Sequence, residues 1–508
     1  MSEQTELPSK CRPSPVAMKA NWLDLCEQYL PVNGGDNSVW RYSREWMSTD
    51  QDQGWKLHIS STILTANRIL KLVAPFLSRR NLLYKAPKSL SELDKLNSGI
   101  FYRYSQVGKV LTIYPRSNEE AVLLARKLYS LTRRIKGPAI PFDSRYRPDG
   151  CVYYRYGGFR SLVIEGKHLD AIRDPAGNLV LDKRDSTAKP DWVIDPFIAT
   201  ESTTPILKTT PLLSRFKAFR ALTQRGKGGV YQALDLNSTP PRLCILKEGR
   251  RYGEVDWEGR DGFWRVKHEE RVLTLLREAG INVPTVYSSF KADKNYYVAI
   301  ECIEGEDLRS WLERKQRRIS IAAALKRAAE LARIICYIHA AGWVWRDCKP
   351  ANLIIHRNGE LRPLDFEGAC QVNHPDSLPW GTPSFIPPEA NDAFRGQSRL
   401  PEDLYALGAV IHLLLTGRTP DAASSLPLSK LRRGIPRQLS ELVTELLDTD
   451  PAKRPDAKSV AIRLENLAGF NQGRRLALRA SSLNLGSARR SAYRGSVVRK
   501  AIEANRDS

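Results

Sequence analysis

The chain has 508 residues, more than the roughly 250 to 300 that a single hydrophobic core ordinarily serves, so at least two domains are expected. Its eight cysteines are scattered with no C-x-x-C pair, which excludes a disulfide framework and a zinc ribbon and points to a cytoplasmic composition. A net charge of +23 invites a nucleic-acid reading, but much of it is local to a basic tail and no nucleic-acid module is visible, so nucleic acid is not an expected partner.

Residues 1–39 read as an N-terminal extension, with nothing of secretory shape behind Glu3 and Glu6. No apolar run approaches the ~20 residues of a membrane-spanning helix. The best, Ala406 to Leu415, reads as a core helix. From Gly54 to Ser60 the residue types alternate. In a strand, Trp55, Leu57 and Ile59 would face the core while Lys56, His58 and Ser60 share the other side, setting a cation beside an acid/base group. A helix is expected over Thr62–Leu77, and Leu83-Tyr84-Lys85 then brings another lysine, 27 residues after His58. Tyr102-Arg103-Tyr104 follows, and then a strand from Gly108 to Pro115 with Lys109 at its start. Asp143-Ser144-Arg145 and Val152–Gly158, which carries Arg155, complete a region of short strands punctuated by helices. Taken singly, each of these cations is what a solvent-facing strand position ordinarily carries.

Together, Gly54–Ser60, Tyr84-Lys85, Gly108–Pro115, Asp143–Arg145, Tyr154–Gly157 and Asp191–Phe197 resemble, in order and spacing, the N-terminal lyase domain of class III lanthipeptide synthetases. That domain is itself similar to phosphothreonine lyases. The resemblance covers about residues 40–205 and implies elimination of phosphate from phosphoserine or phosphothreonine. It implies that Lys85 removes the α-proton, that protonated His58 donates to the departing phosphate oxygen, and that Lys56, Lys109, Arg145 and Arg155 bind the phosphate. The residue types suit these roles: an amine base whose pKa is lowered by burial and cations, and fixed positive charges for the developing anion.

Farther on, Arg225–Tyr231 lies between two strand-like runs, where Gly226, Gly228, Gly229 and Val230 would let backbone amides approach nucleotide phosphates. The apolar strand Leu243–Leu246 ends in Lys247, which could reach those phosphates. One of Glu269 and Glu270 on the following helix should pair with Lys247, and the spacing to Leu273 favours Glu269. Tyr297–Gly305 reads as a strand entering a hinge, with Glu301 and Ile303 at base-contacting positions. Trp345-Arg346-Asp347-Cys348-Lys349-Pro350-Ala351-Asn352 follows, with Asp365-Phe366-Glu367 beginning 13 positions after Asn352. At that spacing Asp347 would accept a hydroxyl proton, Lys349 would steady the transferred phosphoryl group, and Asn352 and Asp365 would each hold magnesium. Gly381–Glu389 follows, with hydroxyls at Ser377, Thr382 and Ser384 in the same segment. Asp403 precedes an apolar helix, and Asp450–Pro455 contains Arg454, the expected buried partner of Glu389.

The region 206–470, and most closely about 212–468, resembles a eukaryotic-type Ser/Thr protein kinase, which implies ATP or GTP as phosphoryl donor and Mg2+ as cofactor. Two departures are visible: Trp345 stands where that family usually has histidine, and Glu367 where it has glycine. Gly368 is the residue expected to take up an unusual backbone angle instead. The tail, 471–508, carries eight arginines and one lysine against Glu503 and Asp507 and is expected to be disordered.

The expected fold is α+β in two domains, a phosphothreonine-lyase-like domain and then a bilobal kinase. For the whole chain the resemblance implies a bifunctional dehydratase that phosphorylates Ser/Thr of a ribosomal precursor peptide and then eliminates the phosphate. No third domain with the Cys/Cys/His zinc set of a cyclase follows the kinase, so cyclisation is expected from a separate cyclase, without an enzyme, or not at all. Two alternatives stay open: a signalling kinase whose N-terminal domain only binds phosphorylated partners, and a pseudokinase scaffold. Lys247, Asp347, Asn352 and Asp365 weigh against the scaffold, and His58 and Lys85 against the pure kinase.

Overall fold

The computed structural model describes residues 13–197 and 214–469, except 36–37, 161, 165–166, 184, 186–188, 317–318, 393 and 421–427. The basic tail expected to be disordered lies outside the described residues. The chain divides into two compact units, Met1–Thr274 with Pro284–Cys302, and Leu275–Val283 with Ile303–Ser508. The division does not follow the domain boundary expected near residue 205, because the first unit also contains a five-stranded sheet built from residues between 216 and 301.

The first unit opens with α1 (Pro15–Tyr29), capped by the Ser14 hydroxyl accepting from Ala17 N and with proline in the first turn, where no amide partner is needed. Its Met18, Trp22, Leu25 and Cys26 are buried in the unit's main core. Part of what reads as an N-terminal extension is therefore integral to the first domain. Seven strands follow: β1 (Val32–Asn33), β2 (Trp40–Tyr42), β3 (Gln53–Ser60), β4 (Leu83–Pro87), β5 (Lys109–Tyr114), β6 (Ser144–Arg145) and β7 (Val152–Gly158). They form an antiparallel sheet in the order β1-β2-β4-β5-β3-β7-β6.

Between the strands run α2 (Ala66–Ser78), α3 (Leu90–Ser98) and α4 (Asn118–Thr132). Trp55, Leu57, Ile59, Tyr84, Ile113 and Tyr154 share one core with apolar residues of α1, α2 and α4. The expected helix over Thr62–Leu77 starts later, at Ala66. Ser61, Thr62 and Thr65 bond to one another through their hydroxyls at 2.9–3.0 Å, a local network that competes with helical hydrogen bonding.

Two small hairpins come next, β8 (Leu162–Ile164) with β9 (Lys167–Leu169) and β10 (Ala171–Arg173) with β11 (Leu179–Leu181). The unit also holds a five-stranded antiparallel sheet of β12 (Phe216–Arg225), β13 (Gly228–Asp235), β14 (Arg242–Gly249), β15 (Val286–Ala292) and β16 (Asn295–Glu301), in the order β12-β13-β14-β16-β15. Helix α5 (Gly262–Glu278) lies between β14 and β15 in the chain.

The second unit is mainly helical: α6 (Leu308–Arg314), α7 (Ile321–Ala340), α8 (Leu400–Thr416), α9 (Leu428–Leu431), α10 (Arg437–Leu446) and α11 (Ala457–Leu467). Ser320 caps α7 by accepting from Ala323 N, and α8 is buried without interruption from Glu402 to Ile411, as its near-continuous apolar run implies. A small sheet joins β17 (Gly305–Asp307), β19 (Leu353–His356) and β20 (Leu361–Pro363), and β18 (Trp343–Val344) pairs with β21 (Cys370–Gln371). No helix among the described residues is long and apolar enough to cross a membrane.

Candidate active sites

In an antiparallel ladder, directly opposed residues share a face. Lys85 opposes Thr112, Thr112 opposes His58, and Lys56 opposes Arg155, so register alone gathers three cations and a histidine on the side of the sheet away from the core. These residues and Lys109 line one pocket, with Gln106 on its wall. The pocket face is not a solvated strand face: Lys56, His58, Lys109 and Arg155 are 7, 3, 5 and 9% exposed. Lys109 alone breaks the alternation, and it sits at the register shift that ends the β3–β5 ladder between Ile59 and Ser60.

Two buried carboxylates hold these groups. Asp143 accepts from Lys109 Nζ at 3.2 Å, and its other oxygen lies 2.5 Å from His58 Nδ1. Asp182, just past β11, accepts from Arg155 Nη2 at 2.8 Å and lies 3.9 Å from Lys56 Nζ, which also donates to Gly158 O at 2.8 Å. Gly157 makes room for it, since a Cβ there would meet Asp182 Oδ2 at 2.7 Å. Burial first, and then the Lys109 charge, push His58 down to about 3, and Asp143 offsets this only in part. Burial alone would raise Asp143, but Lys109 and then His58 outweigh it and hold the carboxyl at about 2. Lys85 Nζ stands over the rings of Trp40 at 4.5 Å and Tyr42 at 5.8 Å.

Arg145 is not brought to this pocket. It lies exposed on the outermost strand, bonded to Pro148 O and Gly150 O at 3.3 Å, with its guanidinium over the Tyr153 ring. Tyr153 separates it from His58 in register, so strand order keeps it from the phosphate set inferred for Lys56, Lys109 and Arg155. Asp182 had no signal in the sequence: it follows a short hairpin with no motif around it, and its partners are distant in the chain.

In the five-stranded sheet Val230 opposes Lys247, and Lys247 Nζ donates to both oxygens of Glu269 at 2.7 Å. Glu270 is engaged elsewhere, by Ser289 Oγ at 2.7 Å and Tyr296 Oη at 2.5 Å. Gly228 admits no side chain, because a Cβ would lie 1.7 Å from Glu248 O, and one on Gly229 would meet Tyr231 Oη at 2.3 Å. Gly226 departs from the expected amide cradle. Its N–H donates to Ser98 O at 2.9 Å, and a Cβ would lie 1.6 Å from Asn97 O, so this glycine serves close packing against α3. Glu301 ends β16, and its carboxylate accepts from Thr285 N and Oγ1 at 3.1 Å.

In the second unit Ile303 is half-buried at the first position after Cys302. Asp347, Lys349, Asn352 and Thr382 form one cluster: Lys349 Nζ donates to Asp347 Oδ2 at 2.7 Å, Asn352 Nδ2 to the same oxygen at 2.9 Å, and Thr382 Oγ1 to Asp347 Oδ1 at 2.8 Å. Burial raises the Asp347 carboxyl; Lys349 opposes this and the charge of Asp365 adds to it. Asp403, fully buried, accepts from Trp345 N at 2.8 Å and Arg346 N at 2.6 Å, fixing the start of the loop that leads into Asp347. Arg454 and Glu389 form the expected ion pair, at 2.5 and 2.9 Å.

Residues 32–206 match the family described as "RamC, N-terminal domain", and residues 226–462 match "Protein kinase domain". Among curated relatives, "Probable SapB synthase" of Streptomyces coelicolor is 27% identical over 434 residues, which is 81% of this chain and 44% of the relative. "Serine/threonine-protein kinase PknA" of Nostoc is 28% identical over 226 residues, 42% of this chain and 39% of the relative. "3-phosphoinositide-dependent protein kinase 1" of Arabidopsis thaliana is 32% identical over 216 residues, 38% of this chain and 43% of the relative. The chain thus spans less than half the length of each of these relatives. It is a RamC-type N-terminal domain followed by a Ser/Thr protein-kinase domain.

Proposed function

We propose that the chain is a peptide dehydratase acting in two steps, as in lanthipeptide-type biosynthesis: the kinase domain phosphorylates Ser and Thr of a ribosomal precursor peptide, and the N-terminal domain eliminates the phosphate. The observation that carries this reading is the convergence of half-buried Lys85 with buried His58, Lys56, Lys109 and Arg155 in one pocket. A domain that only recognised phosphate would need the cations but neither an amine base nor a histidine tied to a buried carboxylate.

In the first step Asp347 accepts the proton of the attacking hydroxyl, and Lys349, already bonded to Asp347, meets the charge on the transferred phosphoryl group. Asn352 and Asp365 offer hard oxygen donors, and the mutual repulsion of Asp347 and Asp365 marks a place that suits a divalent cation. Bound there, Mg2+ would supply charge neutralisation at the phosphates of ATP or GTP.

In the second step Lys85 takes the α-proton, the C–H electrons become the Cα=Cβ bond, and the Cβ–O bond breaks with its electrons leaving on phosphate. Lys56, Lys109 and Arg155 receive that charge. Burial favours the neutral form of His58, and its Nδ1 is tied to Asp143, which leaves Nε2 for the substrate. A phosphate dianion offsets the field of Lys109 and Lys56, which ranks behind burial in lowering the His58 pKa, and so favours the protonated imidazole that donates to the leaving oxygen.

The test uses a synthetic phosphoserine peptide with the full chain. Phosphate and a dehydroalanine peptide should appear in equal amounts by mass spectrometry, and Lys85→Ala and His58→Ala should leave the phosphopeptide intact. Release of phosphate with serine regenerated, or no release at all, would sink the elimination.

A further inference from the structure

The turn at Gly226 and Lys227, between β12 and β13, is gripped from two sides. On one side is the C-terminal end of α3, where backbone carbonyls lack helical partners. Ser98 O accepts from Gly226 N at 2.9 Å, and a Cβ on Gly99 would lie only 3.3 Å from that same nitrogen. On the other side is the loop from Arg250 to Gly262. Arg250 N donates to Lys227 O at 2.8 Å, and Cβ atoms on Gly253 and Gly262 would lie 2.3 Å from Gly226 O and 1.8 Å from Lys227 O.

Arg250 joins the two sides. Its Nη1 bonds both Tyr104 Oη and Arg225 O, the latter at 3.1 Å, while Glu248 holds Nε and Nη2 at 3.2 and 3.0 Å. The loop is itself seated on the N-terminal domain, because Trp257 packs against that domain's core with the Lys19 ammonium 5.5 Å above its ring. Four glycines, Gly99, Gly226, Gly253 and Gly262, at such contact distances mean that the packing is close on both sides of the turn, not a single grazing contact.

A glycine-rich turn has more backbone freedom to lose than any other, and ordering it on binding costs affinity. We propose that Tyr104, in the RamC-type domain, is a positioning residue for nucleotide binding by the kinase domain: acting through Arg250, and together with the end of α3, it holds the glycine-rich turn ordered before nucleotide arrives. The N-terminal domain thereby contributes to phosphoryl transfer without touching the nucleotide. The inference rests on nucleotide use by the kinase domain, but not on elimination in the other.

The test compares full-length wild type with Tyr104→Phe, which removes one hydroxyl and keeps the ring. Calorimetric titration with Mg·ATP should show Kd raised about tenfold, the scale of a hydrogen bond to a charged group. Arg250→Met should do the same, and the double variant should be no weaker than either single one. Hydrogen exchange should rise in peptides covering 225–229 and stay unchanged in β3 and β5. Equal Kd for Tyr104→Phe and wild type overturns the proposal. So does a weaker Kd accompanied by faster exchange throughout the unit, which would make Tyr104 merely structural. A wild-type chain that fails to bind Mg·ATP overturns the kinase reading itself.

Discussion

Trp345 occupies a histidine position of the kinase family, and its contacts show what it does there. Its Nε1 donates to Leu364 O at 3.2 Å and Asp365 O at 3.0 Å, and its ring stacks on Phe366 with centroids 5.4 Å apart. Asp365 has φ +61°, a left-handed conformation that a non-glycine residue holds only when its surroundings fix it, and Trp345 is part of that fixation. The unusual angle expected at Gly368 is therefore at Asp365; Gly368 is small because a Cβ would lie 1.9 Å from Trp380 Nε1. In the N-terminal pocket, Asp182 contacts two of the lining cations, Arg155 at 2.8 Å and Lys56 at 3.9 Å. Asp182→Asn keeps the shape but removes the charge that orders Lys56 and Arg155, and misplacing them should lower kcat/KM for a phosphoserine peptide by about 10- to 100-fold. Measured phosphate release within twofold of wild type would remove Asp182 from the site. His58 carries a pH prediction. Its folded value of about 3 lies below its ordinary 6.5, so between those values the unfolded chain binds the extra proton and stability falls as pH falls. Asp143, also depressed, acts in the same direction at lower pH, from 3.8 down to about 2. Calorimetric Tm should therefore drop more from pH 7 to pH 5 in wild type than in His58→Gln, whereas equal drops would show that His58 is not held neutral.

At the scale of elements, what could be read in advance is what depends on neighbours in sequence. The alternation of Trp55, Leu57 and Ile59 against Lys56 and His58 describes β3 because both faces are specified within one strand. The loop Asp347–Asn352 is legible for the same reason, since its cluster is built from residues two to five apart, with only Thr382 arriving from afar. Helix α1 had a usable signal that the division at residue 40 overlooked: Met18, Trp22, Leu25 and Cys26 fall on one helical stripe, and Trp22 Nε1 reaches Pro87 O at 3.1 Å. Other features had no local signal at all. The role of Gly226 depends on α3, that of Gly157 on Asp182, and the displacement of Arg145 on strand order; each is a consequence of tertiary pairing between residues far apart in the chain.

For the whole molecule, the pocket lined by Lys56, His58, Lys85, Lys109 and Arg155 lies in the first unit and the Asp347 cluster in the second. On the proposed reading, a phosphorylated peptide made at the Asp347 cluster of one molecule would be consumed at the N-terminal pocket of another. This gives a complementation experiment. Full-length Asp347→Asn should leave a Ser/Thr precursor peptide unmodified, because it lacks the acceptor of the hydroxyl proton, and Lys85→Ala should accumulate the phosphorylated form. Mixed with Mg·ATP, the two variants should dehydrate the peptide, at a rate that rises with the concentration of the Asp347→Asn partner, because the intermediate must diffuse between them. Mass spectrometry over time should show phosphate gain preceding water loss. Phosphopeptide that accumulates in the mixture and is never consumed, although Asp347→Asn alone eliminates phosphate from a synthetic phosphopeptide, would show that the two sites cannot exchange an intermediate through solution.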